Sequence, residues 1–400
     1  MELAFTPEER AFRDEVRHFF LTAIPETIRN KVLEGHHLTK QEIITSQRIL
    51  NAKGWAVPSW PVAWGGKDWT PVQVYLFQDE MQQTGVPSPL AFNASMVGPV
   101  IAQFGTDEQK KRYLARAANL DDWWCQGFSE PGAGSDLASL RTKAERHGDT
   151  WVINGQKTWT TLAQHADWIF VLCRTNPDAK KQEGISFILA PMSSKGITVR
   201  PIQTIDGGHE VNEVFFDDVV VPAENLVGRE NAGWDCAKFL LGNERTGIAR
   251  VGTSKARLKR IRELAGLERR GDRPLIEDPK FREKLTGCEI ELKALEMTQL
   301  RIVASERRHG EGKPNPASSI LKLKGSTIQQ TTTELMMEIV GPYAMPFAAS
   351  DEGDGRNEPG YGPDYAAGTA PTYFNWRKIS IYGGSNEIQR NIVAKAILGF

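Results

Sequence analysis

Three small residues near the middle of the chain, Gly132, Gly134 and Ser135, could bind a planar ring or a phosphate. They lie in the segment Cys125–Asp136, which reads CQGFSEPGAGSD. Glycine lets a backbone approach a ligand closely, and exposed N–H groups with a serine hydroxyl supply hydrogen-bond donors. A plain β-turn has the same composition, so this segment alone indicates either a ligand-binding loop or an ordinary turn.

Glu244 is a second candidate for chemistry because it shares a helix face with apolar residues. A helix is predicted from near Trp234, and one face carries apolar side chains at helical spacing on both sides of Glu244: Ala237, Leu240, Leu241, Ile248 and Val251. A carboxylate on a core-facing stripe is costly unless it is paired or functional. Glu244 is therefore either a general base in an apolar pocket or the partner of an arginine such as Arg245 or Arg250.

Residues 1–121 are predicted to form an all-helical domain ahead of these candidates. The sequence Thr6-Pro7-Glu8-Glu9 is a capping box with proline at the first helical position, so a helix begins almost at the first residue. Further helical patterns cover residues 40–53, 71–84 and 107–117.

Residues 122–231 are predicted to form a β domain. Short β-branched and aromatic runs, bounded by Gly, Pro and Asp, occupy residues 151–153, 167–172, 185–189 and 214–216. Their spacing is typical of a small antiparallel barrel or sandwich.

Helical periodicity returns over residues 232–400, which are predicted to form a helical bundle. Six side chains fall on one stripe of a helix of roughly thirty residues: Phe281, Leu285, Cys288, Leu292, Leu295 and Ile302. Residues 348–371 are rich in Gly, Asp and Pro and are predicted to form a long loop within the bundle. The fold class that follows from the three regions is α+β.

The composition excludes several classes of protein. The chain has 400 residues, and its formal net charge of −1 disfavours binding to nucleic acid or an anionic membrane. No apolar stretch approaches the roughly 18 residues that span a bilayer, and residues 1–21 show no export signal, which predicts a cytoplasmic protein. The histidines lack metal-ligand spacing, so no metal site is expected. Four isolated cysteines are expected to be reduced and buried: Cys125, Cys173, Cys236 and Cys288.

The segment CQGFSEPGAGSD and two later segments, INGQKTW and YGGSNEIQR, resemble motifs of the acyl-CoA dehydrogenase family in their order and spacing. The segment Cys125–Asp136 resembles its flavin-binding signature, and Ile153–Trp159 (INGQKTW) resembles the strand behind its flavin. Tyr382–Arg390 (YGGSNEIQR) resembles its C-terminal motif. The resemblance covers essentially the whole chain and implies the family's fold, with an N-terminal all-α domain, a middle β-barrel or sandwich and a C-terminal four-helix bundle. It also implies FAD as cofactor, with contacts from Gln126, Phe128, Ser129, Gly134, Ser135, Trp159, Thr161, Ser385 and Glu387.

The resemblance implies α,β-dehydrogenation of an acyl-CoA thioester to a trans-2,3-enoyl-CoA, with electrons passed to an electron-transferring flavoprotein. The α-proton of a thioester is a very weak acid in water. The reaction therefore needs a desolvated carboxylate as base and preorganised donors to the developing enolate oxygen.

The position of the base departs from the commonest pattern of that family. Many members carry a glutamate directly after the tyrosine of the C-terminal motif, where this chain has Gly383. Other members place the base just before an arginine on the first helix of the C-terminal bundle, which here reads Glu244-Arg245. The resemblance thus implies Glu244 as base, Arg245 and Ser135 near the substrate, and the backbone N–H of Gly383 as a donor to the thioester oxygen.

The adenine end of the flavin site also departs from the family. In homotetrameric members a neighbouring subunit holds that end through an Arg-x-Phe-Gly and a Gln-(x)3-Gly segment. This chain reads Arg269–Asp272 (RRGD) and Glu338–Pro342 (EIVGP) there. An acid at 338 repels pyrophosphate, and Pro342 has no N–H. We therefore expect an α2β2 heterotetramer with a second acyl-CoA dehydrogenase-like subunit; a homotetramer is the alternative.

The substrate and the activity leave alternatives open. The chain resembles the large subunit of two-subunit pimeloyl-CoA dehydrogenases, which implies a medium-chain dicarboxylyl-CoA. Gly383 also suits a catalytically silent subunit that binds flavin or a partner, and a flavin oxidase can share this fold. Glu244 favours the dehydrogenase, because a silent subunit has no need of a carboxylate on an apolar stripe.

Overall fold

The N-terminal part of the chain is helical, as predicted. The computed structural model describes residues 4–243, 249–309, 316–346 and 362–400, without the side chains of 242–243 and 305–309. The first six helices are α1 (Pro7–Ala23), α2 (Glu26–Glu34), α3 (Lys40–Ala52), α4 (Pro71–Gln83), α5 (Gly98–Phe104) and α6 (Asp107–Ala118). Capping boxes begin α1, α3, α4 and α6, so the predicted starts of these helices are confirmed.

Aromatic side chains fill the core between these helices. Phe20 of α1 is fully buried, and its ring centroid lies 5.3 Å from that of Phe77 on α4. Trp55, which follows α3, packs edge-on against Phe77 at 5.8 Å. This cluster supplies a rigid base for the elements that follow.

The middle part of the chain forms a single eight-stranded sheet. Its strands are β1 (Trp124–Gly127), β2 (Lys143–His147), β3 (Thr150–Thr161), β4 (Trp168–Arg174), β5 (Ile185–Pro191), β6 (Ile197–Ile202), β7 (Val211–Pro222) and β8 (Leu226–Val227). They lie in the order β6-β7-β3-β2-β4-β5-β8, with β1 paired to β4. The four predicted runs lie on β3, β4, β5 and β7. The sheet is mainly antiparallel, as predicted, but β1 pairs with β4 in parallel and β2 also meets β4 in parallel.

The C-terminal part is a helical bundle organised around one central helix. Its helices are α7 (Gly233–Asn243), α8 (Val251–Leu267), α9 (Pro279–His309), α10 (Ser318–Val340), α11 (Thr369–Asn375) and α12 (Asn386–Val393), and a small hairpin of β9 (Arg269–Arg270) and β10 (Arg273–Pro274) follows α8. Helix α10 packs against α8, α9, α11 and α12. The six side chains of the predicted stripe on α9 are all buried.

Two predictions about this region need correction. Ala237 and Leu240 are buried on α7, but Arg250 is left-handed at φ 46° and ψ 48° and precedes the first residue of α8, so Val251 belongs to a different helix. The predicted loop ends earlier than expected, because α11 begins at Thr369. Pro371 lies in the first turn of α11, where proline is tolerated because its missing N–H has no partner within the helix. Residues 348–361 of that loop lie outside the described part of the chain.

The four cysteines are free and buried, as predicted. Within the ranges that the structure describes, no helix combines the length and apolarity needed to cross a membrane. The same residues include no group of three or more His, Cys, Asp or Glu side chains placed to hold a metal ion.

Candidate active site

The glycine-rich segment forms a tight, open turn after β1. Glu130 and Ala133 exchange two backbone hydrogen bonds of 3.0 Å, which close the turn. A Cβ atom added at Gly132 or Gly134 would meet no atom within 4 Å, and Ser135 is exposed. The turn therefore presents backbone and a hydroxyl to open space, as a ligand-binding loop requires.

Strand β3 carries an exposed tryptophan directly beside this turn. The N–H of Thr158 donates to the carbonyl of Ser129 at 2.9 Å, which joins β3 to the glycine-rich segment. The next residue, Trp159, has a φ of 58° and is 60% exposed. Left-handed backbone costs a bulky residue about 1 kcal/mol or more, so the surrounding structure holds this ring in place against strain. The pairing of β3 with β7 shifts register between Lys157 and Thr160, which marks a β-bulge.

A buried ion pair fixes the contact between the two segments. Lys157 on β3 is fully buried, and its Nζ donates to the carbonyl of Phe128 at 3.0 Å and to Glu130 Oε1 at 2.8 Å. The Glu130 carboxylate also accepts from the backbone N–H groups of Arg141 at 2.7 Å and Thr142 at 2.9 Å. One carboxylate and one ammonium thus tie the glycine-rich segment to β3 and to the residues just before β2.

The pKa values of this pair follow from burial and mutual attraction. Burial by itself raises the pKa of Glu130, but Lys157 and the two backbone donors overcome it and hold the pKa below its ordinary value. Burial lowers the pKa of Lys157, and the negative charge of Glu130 opposes that effect. The 2.8 Å contact between Lys157 Nζ and Glu130 Oε1 has the geometry of an ion pair. Both residues lie within the motifs, but their types and spacing in the sequence predict no role for them.

Glu210, just before β7, links the end of β3 to the residues that precede the C-terminal motif. Its carbonyl accepts from the N–H of Leu162, the residue after Thr161, at 2.8 Å. Its carboxylate accepts from Lys378 Nζ at 2.6 Å and Asn375 Nδ2 at 3.5 Å, both just before the C-terminal motif. Glu210 therefore joins the end of β3 to the segment just before the C-terminal motif.

The C-terminal motif itself is a glycine turn that begins α12. Gly383 and Gly384 have φ values of 65° and 81°, and a Cβ atom at Gly384 would lie 2.5 Å from the side chain of Gln389. Ser385 caps α12, accepting from the N–H of Ile388 at 3.4 Å. Glu387 is exposed in the first turn of the helix, where backbone donors lower its pKa.

Two side chains that the sequence predicts to contact the flavin, on β1 and just after it, are less exposed to solvent than the glycine-rich turn. Gln126 is half-buried on β1. The ring of Phe128 is buried against Phe170 and Phe187, with centroids 5.8 and 6.3 Å away, so this side chain belongs to the core.

Glu244 and Arg245 lie outside the described residues, so their predicted roles stay predictions. The chain on both sides of them is anchored in the core, since Leu240 and Ala249 are fully buried. A Cβ atom at Gly325 of α10 would lie 2.7 Å from the Cα of Ala249, so α10 packs directly against Ala249.

The two segments that depart from the family at the adenine end contact each other. Glu338 accepts from Arg270 at 3.2 Å and from Lys284 at 2.8 Å, and Arg270 also pairs with Asp278 at 3.2 Å. Burial raises the pKa of Glu338, but the two cations lower it below its ordinary value. The positive charge of Arg270 is thus matched by carboxylates of its own chain.

Three family models match the chain. They are described as acyl-CoA dehydrogenase, N-terminal domain, over residues 6–121; acyl-CoA dehydrogenase, middle domain, over residues 125–219; and acyl-CoA dehydrogenase, C-terminal domain, over residues 231–398.

Characterised relatives match over nearly the full length. The chain is 35% identical over 365 residues to acyl-CoA dehydrogenase IpdE1 of Mycobacterium tuberculosis, covering 91% of this chain and 89% of that protein. It is 31% identical over 407 residues to acyl-CoA dehydrogenase FadE26 of the same organism, covering 100% and 98%.

Solved structures show the same arrangement. A chain of the ChsE4-ChsE5 complex from Mycobacterium tuberculosis has a TM-score of 0.83 at 31% identity, covering 100% of this chain and 99% of that one. A chain of the structure described as the Tcur3481-Tcur3483 steroid ACAD has a TM-score of 0.85 at 29% identity, with the same coverage.

Proposed function

We propose that this chain, which belongs to the acyl-CoA dehydrogenase family, uses Glu244 to remove the α-proton of an acyl-CoA thioester. Membership of the family makes the protein an FAD-dependent oxidoreductase. The observation that carries the proposal is the joining of the three motifs. Lys157 and Thr158 bind the glycine-rich segment to β3, and Glu210 joins the end of β3 to Lys378, just before the C-terminal motif.

The described residues fit a flavin. Gly132 and Gly134 leave open space above a turn with exposed donors, and the exposed face of Trp159 lies beside it. In our proposal Ser129, Gly134, Ser135, Trp159 and Thr161 hold the ring, together with Gln126, Ser385, Glu387 and the backbone of Phe128. When bound, FAD accepts the hydride equivalent that leaves the β-carbon of the substrate.

The residues of this chain supply the proton chemistry. The Glu244 carboxylate takes the α-proton, and negative charge develops on the thioester oxygen. The backbone N–H of Gly383 donates to that oxygen, and Arg245 and Ser135 lie near the thioester. A desolvated site raises the pKa of the base toward the range in which proton transfer is efficient.

We also propose that a second acyl-CoA dehydrogenase-like subunit completes the flavin site in an α2β2 assembly. Arg270 and Lys284 are engaged with Glu338, so this face offers little free positive charge to a neighbour's pyrophosphate. Two solved structures with this fold are described by pairs of proteins, ChsE4-ChsE5 and Tcur3481-Tcur3483.

The acyl group is proposed to be a medium-chain dicarboxylyl chain of the pimeloyl type, with electron-transferring flavoprotein as acceptor. A steroid-linked acyl group is the second candidate, because one similar structure is described as a steroid ACAD. The two classes differ in their distal end, where a carboxylate needs a cation or hydrogen-bond donors and a sterol needs apolar surface.

The visible spectrum of the chain tests the proposal. The chain is purified alone and co-expressed with an acyl-CoA dehydrogenase-like neighbour, and each preparation is titrated with pimeloyl-CoA, octanoyl-CoA and a steroid side-chain CoA. We expect little flavin alone and a yellow complex that one acyl-CoA bleaches. A yellow chain that bleaches alone supports the homotetramer. A complex that no acyl-CoA bleaches supports a silent subunit, and rapid oxygen consumption supports an oxidase.

The base is tested in the same complex. Glu244→Gln is expected to abolish turnover while flavin stays bound, and Gly383→Glu in that background to restore part of the activity. Full activity of Glu244→Gln would rule out Glu244 as the base.

A further inference from the structure

Helix α10 carries a buried lysine directly beneath the C-terminal motif. Lys322 is only 2% exposed. Its Nζ donates to the carbonyl of Ile379 at 3.0 Å and to Asn386 Oδ1 at 2.8 Å. Among the residues that the structure describes, no carboxylate lies within ion-pair distance of this ammonium. Lys322 therefore bears a charge in the core without a direct counter-charge.

The two acceptors of Lys322 stand at opposite ends of the turn that carries Gly383. Ile379 precedes the motif, and Asn386 is the first residue of α12. The ammonium thus bridges the start and the end of the turn. Both glycines between these ends are left-handed, so the turn has little intrinsic preference for a single conformation and depends on contacts from outside.

Asn386 is itself held by α10. Its Nδ2 donates to Ser326 Oγ at 3.1 Å, and Ser326 Oγ in turn donates to the carbonyl of Leu323 at 2.9 Å. Lys322 and Ser326 lie one helical turn apart on α10 and contact the same amide. The motif is therefore fastened to the central helix of the bundle through two polar side chains.

A buried lysine in this place is costly for the fold. Burial lowers the pKa of Lys322 to about 8, although the nearby charge of Glu387 opposes the change. A methionine of similar length would fill the same space without desolvating a charge. Unlike methionine, the ammonium of Lys322 makes two hydrogen bonds to the turn.

We propose that Lys322 is a positioning residue, which holds the turn between Ile379 and Asn386 so that the N–H of Gly383 faces the thioester oxygen. The inference rests on the proposed function, because the thioester is the group to which Gly383 donates. Lys322 does not touch the substrate and acts only through the turn.

Turnover separates this role from a merely structural one. An oxyanion donor acts most strongly when charge develops in the transition state, so its displacement lowers kcat more than it raises KM. In the complex with its partner subunit, Lys322→Met is expected to lower kcat by about tenfold or more while KM changes less than about threefold. The flavin content is expected to stay at the wild-type value.

Lys324→Met is the matched control. Lys324 lies two residues further along α10, is half-exposed and pairs with Glu291. Its loss removes the same charge from the same helix without touching the turn, so wild-type kcat is expected. Equal losses in Lys322→Met and Lys324→Met would overturn the proposal.

Substitutions of Asn386 keep the proposal testable if Lys322→Met folds poorly. Asn386→Asp keeps an acceptor oxygen for Lys322 and is expected to retain kcat within about threefold, whereas Asn386→Leu removes the acceptor and is expected to lose about tenfold. Equal activity of these two variants would contradict the role of the lysine.

Amide hydrogen exchange gives a readout that does not depend on activity. The peptide covering residues 379–390 is expected to exchange faster in Lys322→Met than in Lys324→Met. A wild-type complex inactive with every acyl-CoA would contradict the proposed function, and the exchange rates would still decide whether Lys322 anchors the turn. Unchanged exchange in Lys322→Met would overturn the anchoring.

Discussion

Two buried lysines of this chain stabilise glycine-containing turns that have little conformational preference of their own. Lys157 fastens the glycine-rich segment, and Lys322 lies under the C-terminal glycine turn. Glycines allow close approach of a ligand but give the backbone conformational freedom that must be removed elsewhere. A buried ammonium can donate several hydrogen bonds in different directions, which suits the task of holding two chain segments at once.

Loss of Lys157 should destabilise the protein strongly. Lys157→Met leaves the Glu130 carboxylate buried without its cation, which is expected to cost about 3–5 kcal/mol. The measurement is urea unfolding of the complex, followed by tryptophan fluorescence. The double variant Glu130→Gln/Lys157→Met removes both charges and should recover part of the loss. Lys143→Met, at an exposed pair on β2, is the control and should change stability little; a similar loss there would contradict the assignment.

Lys322 should make stability rise with pH on the alkaline side. Its pKa is about 8 in the folded chain against an ordinary 10.5, so between these values the unfolded chain binds more protons and folding releases them. The buried ammonium of Lys322 therefore lowers the free energy of unfolding by about 3 kcal/mol below pH 8, and this loss disappears by pH 10.5. The unfolding free energy of wild type minus that of Lys322→Met is measured from pH 7 to 10.5. A flat difference would show that burial does not perturb this lysine.

The sequence predicts a buried charge at Glu244 but does not indicate the buried charges of Lys157 and Lys322. The prediction for Glu244 rests on the apolar residues that share its predicted helix face. The buried neighbours of Lys322 on α10 include the polar residues Ser319, Ser326 and Gln329. The sequence therefore shows no apolar stripe from which the burial of Lys322 could be predicted. The bulge in β3 disturbs the alternation that would have marked Lys157 as inward-facing.

At the level of elements, local signals predicted the helices better than the sheet. The capping boxes at Thr6, Thr39, Thr70 and Thr106 are short and self-contained, and each one begins a helix. Strand β1 has four residues and pairs in parallel with a strand about forty residues later, so its existence depends on tertiary contacts. The break at Arg250 lies between Gly247 and Gly252, but single glycines within an apolar helical pattern do not by themselves predict the end of a helix.

The contact between α10 and the start of α8 should control the segment that carries Glu244. A Cβ atom at Gly325 would lie 2.7 Å from the Cα and 2.9 Å from the carbonyl oxygen of Ala249. The added methyl group of Gly325→Ala must push α10 away from Ala249. We expect the free energy of unfolding to fall by about 1–3 kcal/mol and the activity to fall as well. A Cβ atom added at Gly287 on α9 would meet no atom within 4 Å. Gly287→Ala is therefore expected to raise the free energy of unfolding by about 0.5–1 kcal/mol. Thermal unfolding and turnover are measured for both, and equal effects would contradict the close packing.

At the level of the whole molecule, the ion pairs of Glu338 bear on assembly. In our proposal the chain relies on a second subunit because Arg270 and Lys284 are neutralised within the chain itself. Replacing this acid and restoring glycine at position 342 returns one of the two family segments to its usual form. The chain should then bind more flavin without its partner.

We therefore expect Glu338→Gln/Pro342→Gly to raise the flavin-to-protein ratio of the chain purified alone. Glutamine removes the negative charge that repels pyrophosphate and frees Arg270, and glycine restores an N–H donor. The ratio is read from the visible spectrum, and the oligomeric state from light scattering. Glu334→Gln, one helical turn earlier on α10 and paired with Arg377 at 2.8 Å, removes a charge away from this site and should leave the ratio unchanged. A wild-type chain that already carries one flavin per protein would show instead that no partner is needed, and the acid at 338 would then have no role in assembly.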